Sequence, residues 1–411
     1  MNLYSKRTAL VLGASVVAIC QSMPALAQMD TTTVPGVSLP GVATIPGATP
    51  INSGVTSTGT PAATATVDSV ANGTIEQRVV GEEGGATSDS ASLTNNGSTT
   101  ITARATATNT EGQAIANASI TDAINQNIAG PYTSVSAAFS NTGTITIASI
   151  ASATGTTSPG EGDAFGARAN SSAIGGVHQE AVIEGNKTGT TTVTHTNSGT
   201  FNFTSSATAA AQASAIATSE MEEAVFMRAQ GNGSGSVTAN TTFTNNGTFG
   251  AASSATATSS AGDATATAGA GGGEHGLIHI RSAVNGTGVD VGNASLVNNA
   301  GRTMTITGSS TATGFGTATA TTLGGDGFST AEDSKGSVIL VQAQASGSDE
   351  GTANSTITNA GTITATFSSR ATQTGTVSTG ATATTISNGT IRRSSRRAGR
   401  KASSAGSARR R

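Results

Sequence analysis

Strict alternation of small apolar and hydroxyl-bearing side chains is the feature that most limits what this chain can fold into. From Phe201 to Ala217 every odd position is Phe, Ser or Ala, and the positions between them are mainly Thr, Ser and Ala. Similar series begin at Ile101, Ile145 and Phe249. A period of two places successive side chains on opposite faces of a β-strand, and no helical period of 3.6 residues competes with it. The pattern therefore predicts an all-β chain.

A short motif ending in Asn-x-Gly recurs six times, and the motif glycines are separated by 46, 56, 48, 54 and 60 residues. Repeats of this length are typical of stacked structural units. An asparagine row across stacked turns explains the motif, because an amide side chain both donates and accepts hydrogen bonds. The predicted repeat-turn residues are Asn95, Gly97, Asn141, Gly143, Asn197, Gly199, Asn245, Gly247, Asn299, Gly301, Asn359 and Gly361.

These repeats predict a repetitive right-handed parallel β-solenoid, with stacked long antiparallel β-hairpins as the alternative. Alanine buries little surface, so one unit alone is unstable and neighbouring units must add their interfaces. The alanine series after Phe201 covers 17 residues. It would span about 55 Å if it were straight at ~3.3 Å per residue. The strand must therefore bend without losing its phase, or the units are hairpins.

Residues 1–27 have the composition of a secretory signal peptide. Two basic residues precede an apolar run that is too short to cross ~30 Å of hydrocarbon. Ala25 and Ala27 form the small-x-small cleavage site, which makes Gln28 the predicted mature N-terminus. Cleavage also removes Cys20, the single cysteine of the chain, so disulfide bonds are not expected to contribute to stability.

Three further segments follow the signal peptide. Residues 28–67 are predicted to be a Pro-, Thr- and Gly-rich linker, since five of the eight prolines lie between Pro35 and Pro61. Residues 68–391 are predicted to be the β-repeat array. The array has no proline after Pro159, which fits a hydrogen-bonded ladder because proline cannot donate to one.

The remaining segment, residues 392–411, is a basic tail with 9 Lys and Arg and no acidic residue. Residues 28–391 contain 9 Lys and Arg against 23 Asp and Glu, which does not suit nucleic-acid binding by the array. A new repeat unit begins shortly before the tail and stops after Ile391, so a frameshift product is one interpretation of the tail. The other is a genuine tail that binds acidic lipid headgroups, lipopolysaccharide or nucleic acid.

Residues with catalytic or metal-binding potential are sparse. The sequence has no nucleophile elbow, Walker loop or Cys–His pair, and its 10% charged residues argue against an enzyme pocket with convergent charges. His275 and His279 lack a third metal ligand nearby, and single Asp-Gly or Gly-Asp turns such as that at Asp263 are better explained by turn formation than by calcium. We predict no catalytic residue, no cofactor and no metal.

The signal peptide, the Asn-x-Gly turns and the alternating small-residue strands together resemble the passenger region of bacterial autotransporters and related β-solenoid adhesins. The resemblance covers about residues 68–391. It implies a position on the cell surface or outside the cell and a role in adhesion, aggregation or biofilm formation. The family's C-terminal barrel needs about a dozen strands with aromatic girdles, and no counterpart is seen here. A product without the barrel is expected to stay in the periplasm.

We therefore expect an exported bacterial surface protein with a structural, adhesive or self-associating role and without a transmembrane segment in the mature chain. Its expected partners are a host or neighbouring cell surface, a polysaccharide or a second copy of the chain, bound by many weak contacts along the array. One alternative is a solenoid that binds a polysaccharide or ice through a flat threonine ladder, as Thr317–Thr321 indicates. Unequal repeat lengths argue against it, because they would disrupt a regular array. Another alternative is a non-functional, truncated autotransporter.

Overall fold

The chain forms a parallel β-solenoid in a computed structural model, and all thirty elements of its described part are strands. The structure describes residues 29–34, 37–38, 42–44, 50–59, 65–72, 75–80, 88–110, 112–131, 133–156, 165–185, 188–271, 276–325, 337–346, 350–376, 380–387 and 391–397. The predicted cleavage-site residues Ala25, Ala27 and Gln28 lie outside these ranges.

Four consecutive strands make one coil of the solenoid. The first two coils contain β1 (Met29–Val34), β2 (Val37–Ser38), β3 (Val42–Thr44), β4 (Pro50–Gly59), β5 (Ala65–Asn72), β6 (Ile75–Val80), β7 (Ser88–Asn95) and β8 (Ser98–Asn109). The third to fifth coils contain β9 (Ala114–Thr121), β10 (Ile124–Gly130), β11 (Ser134–Asn141), β12 (Thr144–Gly155), β13 (Phe165–Ile174), β14 (Val177–Ile183), β15 (Gly189–Asn197), β16 (Thr200–Ala211), β17 (Ser214–Glu222), β18 (Val225–Asn232), β19 (Val237–Asn245) and β20 (Thr248–Ser259). The remaining strands are β21 (Ala264–Ala270), β22 (Ile278–Asn285), β23 (Val289–Asn298), β24 (Thr303–Gly314), β25 (Ala318–Gly324), β26 (Ile339–Ala345), β27 (Glu350–Asn359), β28 (Thr362–Gln373), β29 (Ala381–Ser387) and β30 (Ile391–Arg397).

Every fourth strand belongs to the same sheet, so the coils stack strand upon strand. Sheet A contains the first strand of each coil, from β1 to β29, and sheet B the second, from β2 to β30. Sheets C and D contain the third and fourth strands, from β3 to β27 and from β4 to β28. The described strand pairs are parallel in all four sheets, which confirms the predicted parallel β-solenoid and excludes the antiparallel hairpins. Its right-handedness stays a prediction.

The sheets form two packed layers around a narrow interior. Sheets A and D face each other, as do sheets B and C. Across the first interface Ser171 Oγ donates a hydrogen bond of 2.9 Å to Ser149 Oγ. Across the second, Gln126 Nε2 donates a hydrogen bond of 3.1 Å to the Ala138 carbonyl. These two interior polar side chains are therefore paired between layers, as buried polar groups usually are.

The long alanine series after Phe201 passes through two facing strands, β16 and β17. The chain reverses at Gln212 and Ala213, and Ala209, Ala213 and Ala215 all remain buried. The strand thus bends while the phase of its inward side chains is kept. This is the first of the two geometries that the sequence leaves open.

Large side chains are concentrated at one end of the sheet D strands, and alanine fills the rest. Phe201 and Phe203 are fully buried at the start of β16, and Ala207 and Ala209 continue the inward face. In the next coil Phe249 stacks on Phe201, with ring centroids 5.3 Å apart and an interplanar angle of 6°. Such contacts between neighbouring coils are how a linear repeat is stabilised.

The predicted boundaries of the array are too narrow at both ends. Residues 28–67, predicted to be a linker, contain strands of the first coil, and β1 and β4 pair with β5 and β8. Pro50 is compatible with this pairing because it is the first residue of β4, where a missing ladder donor is tolerated. The other four prolines of this segment lie outside the described residues. At the opposite end β30 continues past Ile391 to Arg397 and pairs with β26, so part of the predicted tail belongs to sheet B.

Candidate binding surface

The outward face of sheet D carries a regular array of hydroxyl groups, which we call the threonine lattice. It consists of the outward-facing residues of β8, β12, β16, β20, β24 and β28. Each of these strands is 12 residues long, and inward residues alternate with outward ones along them. Every outward residue of β24 is Thr or Ser, namely Thr303, Thr305, Thr307, Ser309, Thr311 and Thr313.

Outward residues of neighbouring strands lie side by side in rows that cross the sheet. One row contains Ser98, Thr144, Thr200, Thr248, Thr303 and Thr362. A row near the other end of the strands contains Thr106, Ser152, Thr208, Thr256, Thr311 and Arg370. Positions in such a sheet repeat every ~4.8 Å across the strands and every ~6.6 Å along them. The hydroxyl groups therefore form a two-dimensional array. It is interrupted at the outward positions without a hydroxyl group, namely Arg104, Ala148, Ile150, Asn202, Ala210, Gly250, Ala252 and Arg370.

The repeats differ in length, but the six strands of sheet D from β8 to β28 do not differ in length or register. The strands of sheet D keep one length and pair without a register shift from β8 to β28. The additional residues lie in connections, such as those between β12 and β13 and between β25 and β26. The expectation that unequal repeats would disrupt a regular threonine array is therefore wrong, because the loops absorb the difference.

The threonine lattice is almost free of charge. Its only ionisable side chains are Arg104 in β8 and Arg370 in β28, at opposite ends of the row of strands. Sparse charge and dense hydroxyl groups suit hydrogen bonding and van der Waals contact with a neutral, hydroxyl-rich surface. They do not suit recognition of a polyanion, which requires clustered Lys or Arg.

A row of buried asparagines at the turn between sheets C and D fixes where the lattice begins. Each side-chain amide donates to the carbonyl oxygen of the next, over 2.7 Å from Asn95 to Asn141 and 2.8 Å from Asn141 to Asn197. Asn245 follows at 2.9 Å, and the row continues through Asn298 at 2.8 Å to Asn359 at 2.8 Å, where it ends on an exposed amide. Such a row sets the register of the coils, since a shift by one residue would leave buried amides unpaired.

The turn glycines stack directly on one another. A Cβ atom at Gly143 would collide with the carbonyl oxygen of Gly97, and one at Gly199 would collide with the carbonyl oxygen of Gly143. Gly247 approaches Gly199 in the same way. The predicted turn glycines of these copies are thus explained by close backbone approach rather than by a positive φ.

The fifth copy of the motif departs from the predicted assignment. The sequence motif assigns Asn299 and Gly301 to this copy, but the strand register places Asn298 opposite Asn245 and Asn359. Asn299 lies in the turn and is exposed. The buried row therefore uses Asn298, one residue earlier than the alignment on glycine indicates.

An insertion in the fifth turn explains the difference. Four residues separate Asn298 from Thr303, whereas two separate the corresponding strands of the other described copies. Gly301 takes up the additional length with a φ of 72°. Arg302 occupies the place of the stacked glycine, and its carbonyl accepts a hydrogen bond of 2.8 Å from the Thr362 amide.

The residues considered for metal binding are dispersed. Across the described ranges no three His, Cys, Asp or Glu side chains come together in a way that could hold an ion. His279 is buried in β22, and His275 lies outside the described residues. Asp263 accepts a hydrogen bond of 2.6 Å from the Thr317 amide of the next coil, which fits the turn role predicted for it.

Charged side chains that the sequence analysis did not single out come together on the outward face of sheet B. Arg228 Nη1 lies 3.1 Å from Glu180 Oε1, and His178 Nδ1 lies 3.6 Å from Asp122 Oδ1. Burial lowers the pKa of His178, but the neighbouring carboxylates, above all Asp122, outweigh it and leave the pKa raised. These residues come from three successive coils, so only the strand register, and no local motif, could have revealed the cluster.

Comparison with protein-family models, with curated proteins and with solved structures gives no match for this chain. In the described part of the chain there is no helix with the length and apolarity needed to cross a membrane.

Proposed function

We propose that this chain is an exported scaffold of the bacterial cell surface, similar in style to an autotransporter passenger, which adheres through the threonine lattice. The observation that carries the proposal is the unbroken register of the six sheet D strands, which places most of their outward side chains as hydroxyl groups in rows across the sheet. Each hydroxyl contact is weak, but a rigid array presents many at fixed spacing, so their effects multiply. Export rests on the signal-peptide features of residues 1–27.

The partner in this proposal is a neutral polysaccharide surface. Carbohydrate hydroxyl groups donate and accept hydrogen bonds as Thr and Ser do. The near absence of charge on the lattice favours this ligand over an acidic one. Self-association through the same face is the competing outcome, which sedimentation velocity over a range of concentrations would detect.

Charge introduced into the lattice tests the proposal. Thr256 and Thr311 are register neighbours on sheet D, and Thr267 and Thr321 are register neighbours on the outward face of sheet A. The double variant Thr256→Lys/Thr311→Lys is expected to weaken binding to cross-linked dextran beads at least tenfold, because two ammonium groups disrupt the hydroxyl array. The matched variant Thr267→Lys/Thr321→Lys keeps binding. Equal binding by both would contradict the proposal, and thermal unfolding checks that both are folded.

Ice is a second candidate ligand, favoured by the constant 12-residue length of the sheet D strands. A flat array of hydroxyl groups at constant spacing is suited to an ordered crystal face. Thermal hysteresis of the purified chain, abolished by Thr256→Lys/Thr311→Lys, would support this ligand. Dextran binding without hysteresis would reject it in favour of the polysaccharide.

A further inference from the structure

Two arginines on the outward face of sheet B occupy neighbouring positions on adjacent strands, and a single carboxylate occupies the corresponding position on the preceding strand. Glu180 in β14, Arg228 in β18 and Arg281 in β22 occupy the same row by strand register. Arg228 is paired with Glu180 at 3.1 Å. No described residue forms an ion pair with Arg281, which lies on the other side of Arg228.

The guanidinium groups of Arg228 and Arg281 have hydrogen-bond donors that lack acceptors. The Nε atoms of Arg228 and Arg281 are both buried and have no hydrogen-bond partner. Neighbouring positions in a sheet are ~4.8 Å apart, so the two positive charges repel each other. Burial, and then the charge of Arg228, lower the pKa of Arg281, whereas Glu180 raises it. These three residues therefore carry one positive charge more than they have carboxylates, and the same row continues through Asn127 to Arg78 without adding an acid.

The flanking side chains add a further donor and leave the row without a second carboxylate. Gln342 follows Arg281 in register on β26 and is half-buried, and its amide can donate a hydrogen bond. The adjacent outward row on one side contains His178, Phe226 and His279. On the other side it contains Gln230 and Ala283. Among these described neighbours Glu180 is the only acid.

We propose that Arg228 and Arg281 form a binding site for the oxyanion groups, carboxylate or sulfate, of an acidic polysaccharide. Guanidinium groups bind such planar or tetrahedral oxyanions through paired hydrogen bonds, and a bound anion would neutralise the repulsion between the two arginines. That the ligand is a polysaccharide rests on the proposed function, whereas its acidic groups are inferred from the two arginines alone, because the threonine lattice suits neutral chains. The site itself is separate from the threonine lattice, since it lies on sheet B rather than sheet D.

The test measures binding of the purified full chain to alginate, which carries carboxylates, to dextran sulfate and to neutral dextran beads. Arg281→Gln is expected to weaken binding to at least one acidic polymer about tenfold at physiological salt and to leave neutral dextran binding unchanged. Arg281→Lys keeps the charge but loses the paired donors, so an intermediate loss is expected. Arg168→Gln, which removes an exposed arginine of sheet A, is the matched control.

Two results would overturn the site. Either Arg281→Gln binds both acidic polymers as well as the unmodified chain does, or Arg168→Gln loses as much binding as Arg281→Gln, which would mean only a general charge effect. The basic segment after Ile391 is present in every variant and contributes the same background. Failure of the lattice proposal is distinguishable, because that proposal predicts loss of neutral dextran binding by the Thr256→Lys/Thr311→Lys variant alone. Thermal unfolding of Arg281→Gln checks that the solenoid is retained.

Discussion

The imidazole of His195 lies in the core, and its neighbours in register determine its protonation state. His195 points inward from sheet C, in register with Phe139 and Phe243. Its ring packs edge-on against both, with centroids 4.9 and 5.0 Å apart. Both ring nitrogens are buried without a hydrogen-bond partner, and burial lowers the pKa of His195 to about 3. The side chain is therefore neutral and takes the place of a third phenyl ring.

The lowered pKa of His195 predicts a loss of stability in mild acid. An unfolded histidine titrates near 6.5, so between about pH 6.5 and 3 the unfolded state binds a proton that the folded state does not. At pH 5 the solenoid should be less stable than at pH 8 by about 2 kcal/mol from this residue alone. His195→Phe should remove that component, as measured by urea denaturation at both pH values. An identical pH dependence in both proteins would contradict the burial of a neutral imidazole.

At the scale of the strand and the turn, alternation in the sequence was enough to predict the strands, and the asparagine motif was enough to predict how units stack. Three features were not predictable in this way. The Pro50 segment forms a strand because an edge position removes the penalty that proline carries in a central strand. An alignment on Gly301 assigns the wrong asparagine in the fifth turn, because two additional residues separate Asn298 from the strand that follows. The Arg228–Arg281 pair is visible only when the register between distant repeats is known.

Because the turns stack directly on one another, some turn positions are expected to require glycine, since any larger residue would place a Cβ atom against the neighbouring backbone. Gly199→Ala should destabilise the solenoid by roughly 1–3 kcal/mol, because the new methyl group collides with the Gly143 carbonyl oxygen and the turn must shift. Gly250→Ala in β20 is the control, since its Cβ would meet only the side-chain Asn202 Oδ1 at 3.0 Å, and the nearest backbone atom, the Phe201 carbonyl oxygen, is 3.9 Å away. Thermal unfolding of the two variants gives the comparison. Equal unfolding midpoints would refute close backbone stacking at the turn.

For the whole molecule, continuity of the sheets matters more than equality of the repeats. Sheet D keeps its register while the connections vary, so both the threonine lattice and the asparagine row run through coils of unequal length. Each coil contacts mainly its neighbours, which makes the solenoid close to one-dimensional in its energetics. The functional surfaces proposed on sheets D and B are consequences of this continuity, because each is assembled from single residues of successive coils.

One-dimensional stacking predicts that a whole coil can be removed if the phase of the strands is kept. Ser205 and Ser253 are register neighbours, so deletion of residues 205–252 joins Thr204 to Ser253 and rebuilds one 12-residue strand of sheet D. The shortened chain should stay folded and lose about 4.8 Å of length. Deletion of residues 205–253 removes one residue more, which turns Ala255 and Ala257 outward and Thr256 inward. That chain should unfold or aggregate, as circular dichroism and size-exclusion chromatography would report. If both deletions fold equally well, inward alternation does not determine the register, and if neither folds, the coil is not the independent unit of this solenoid.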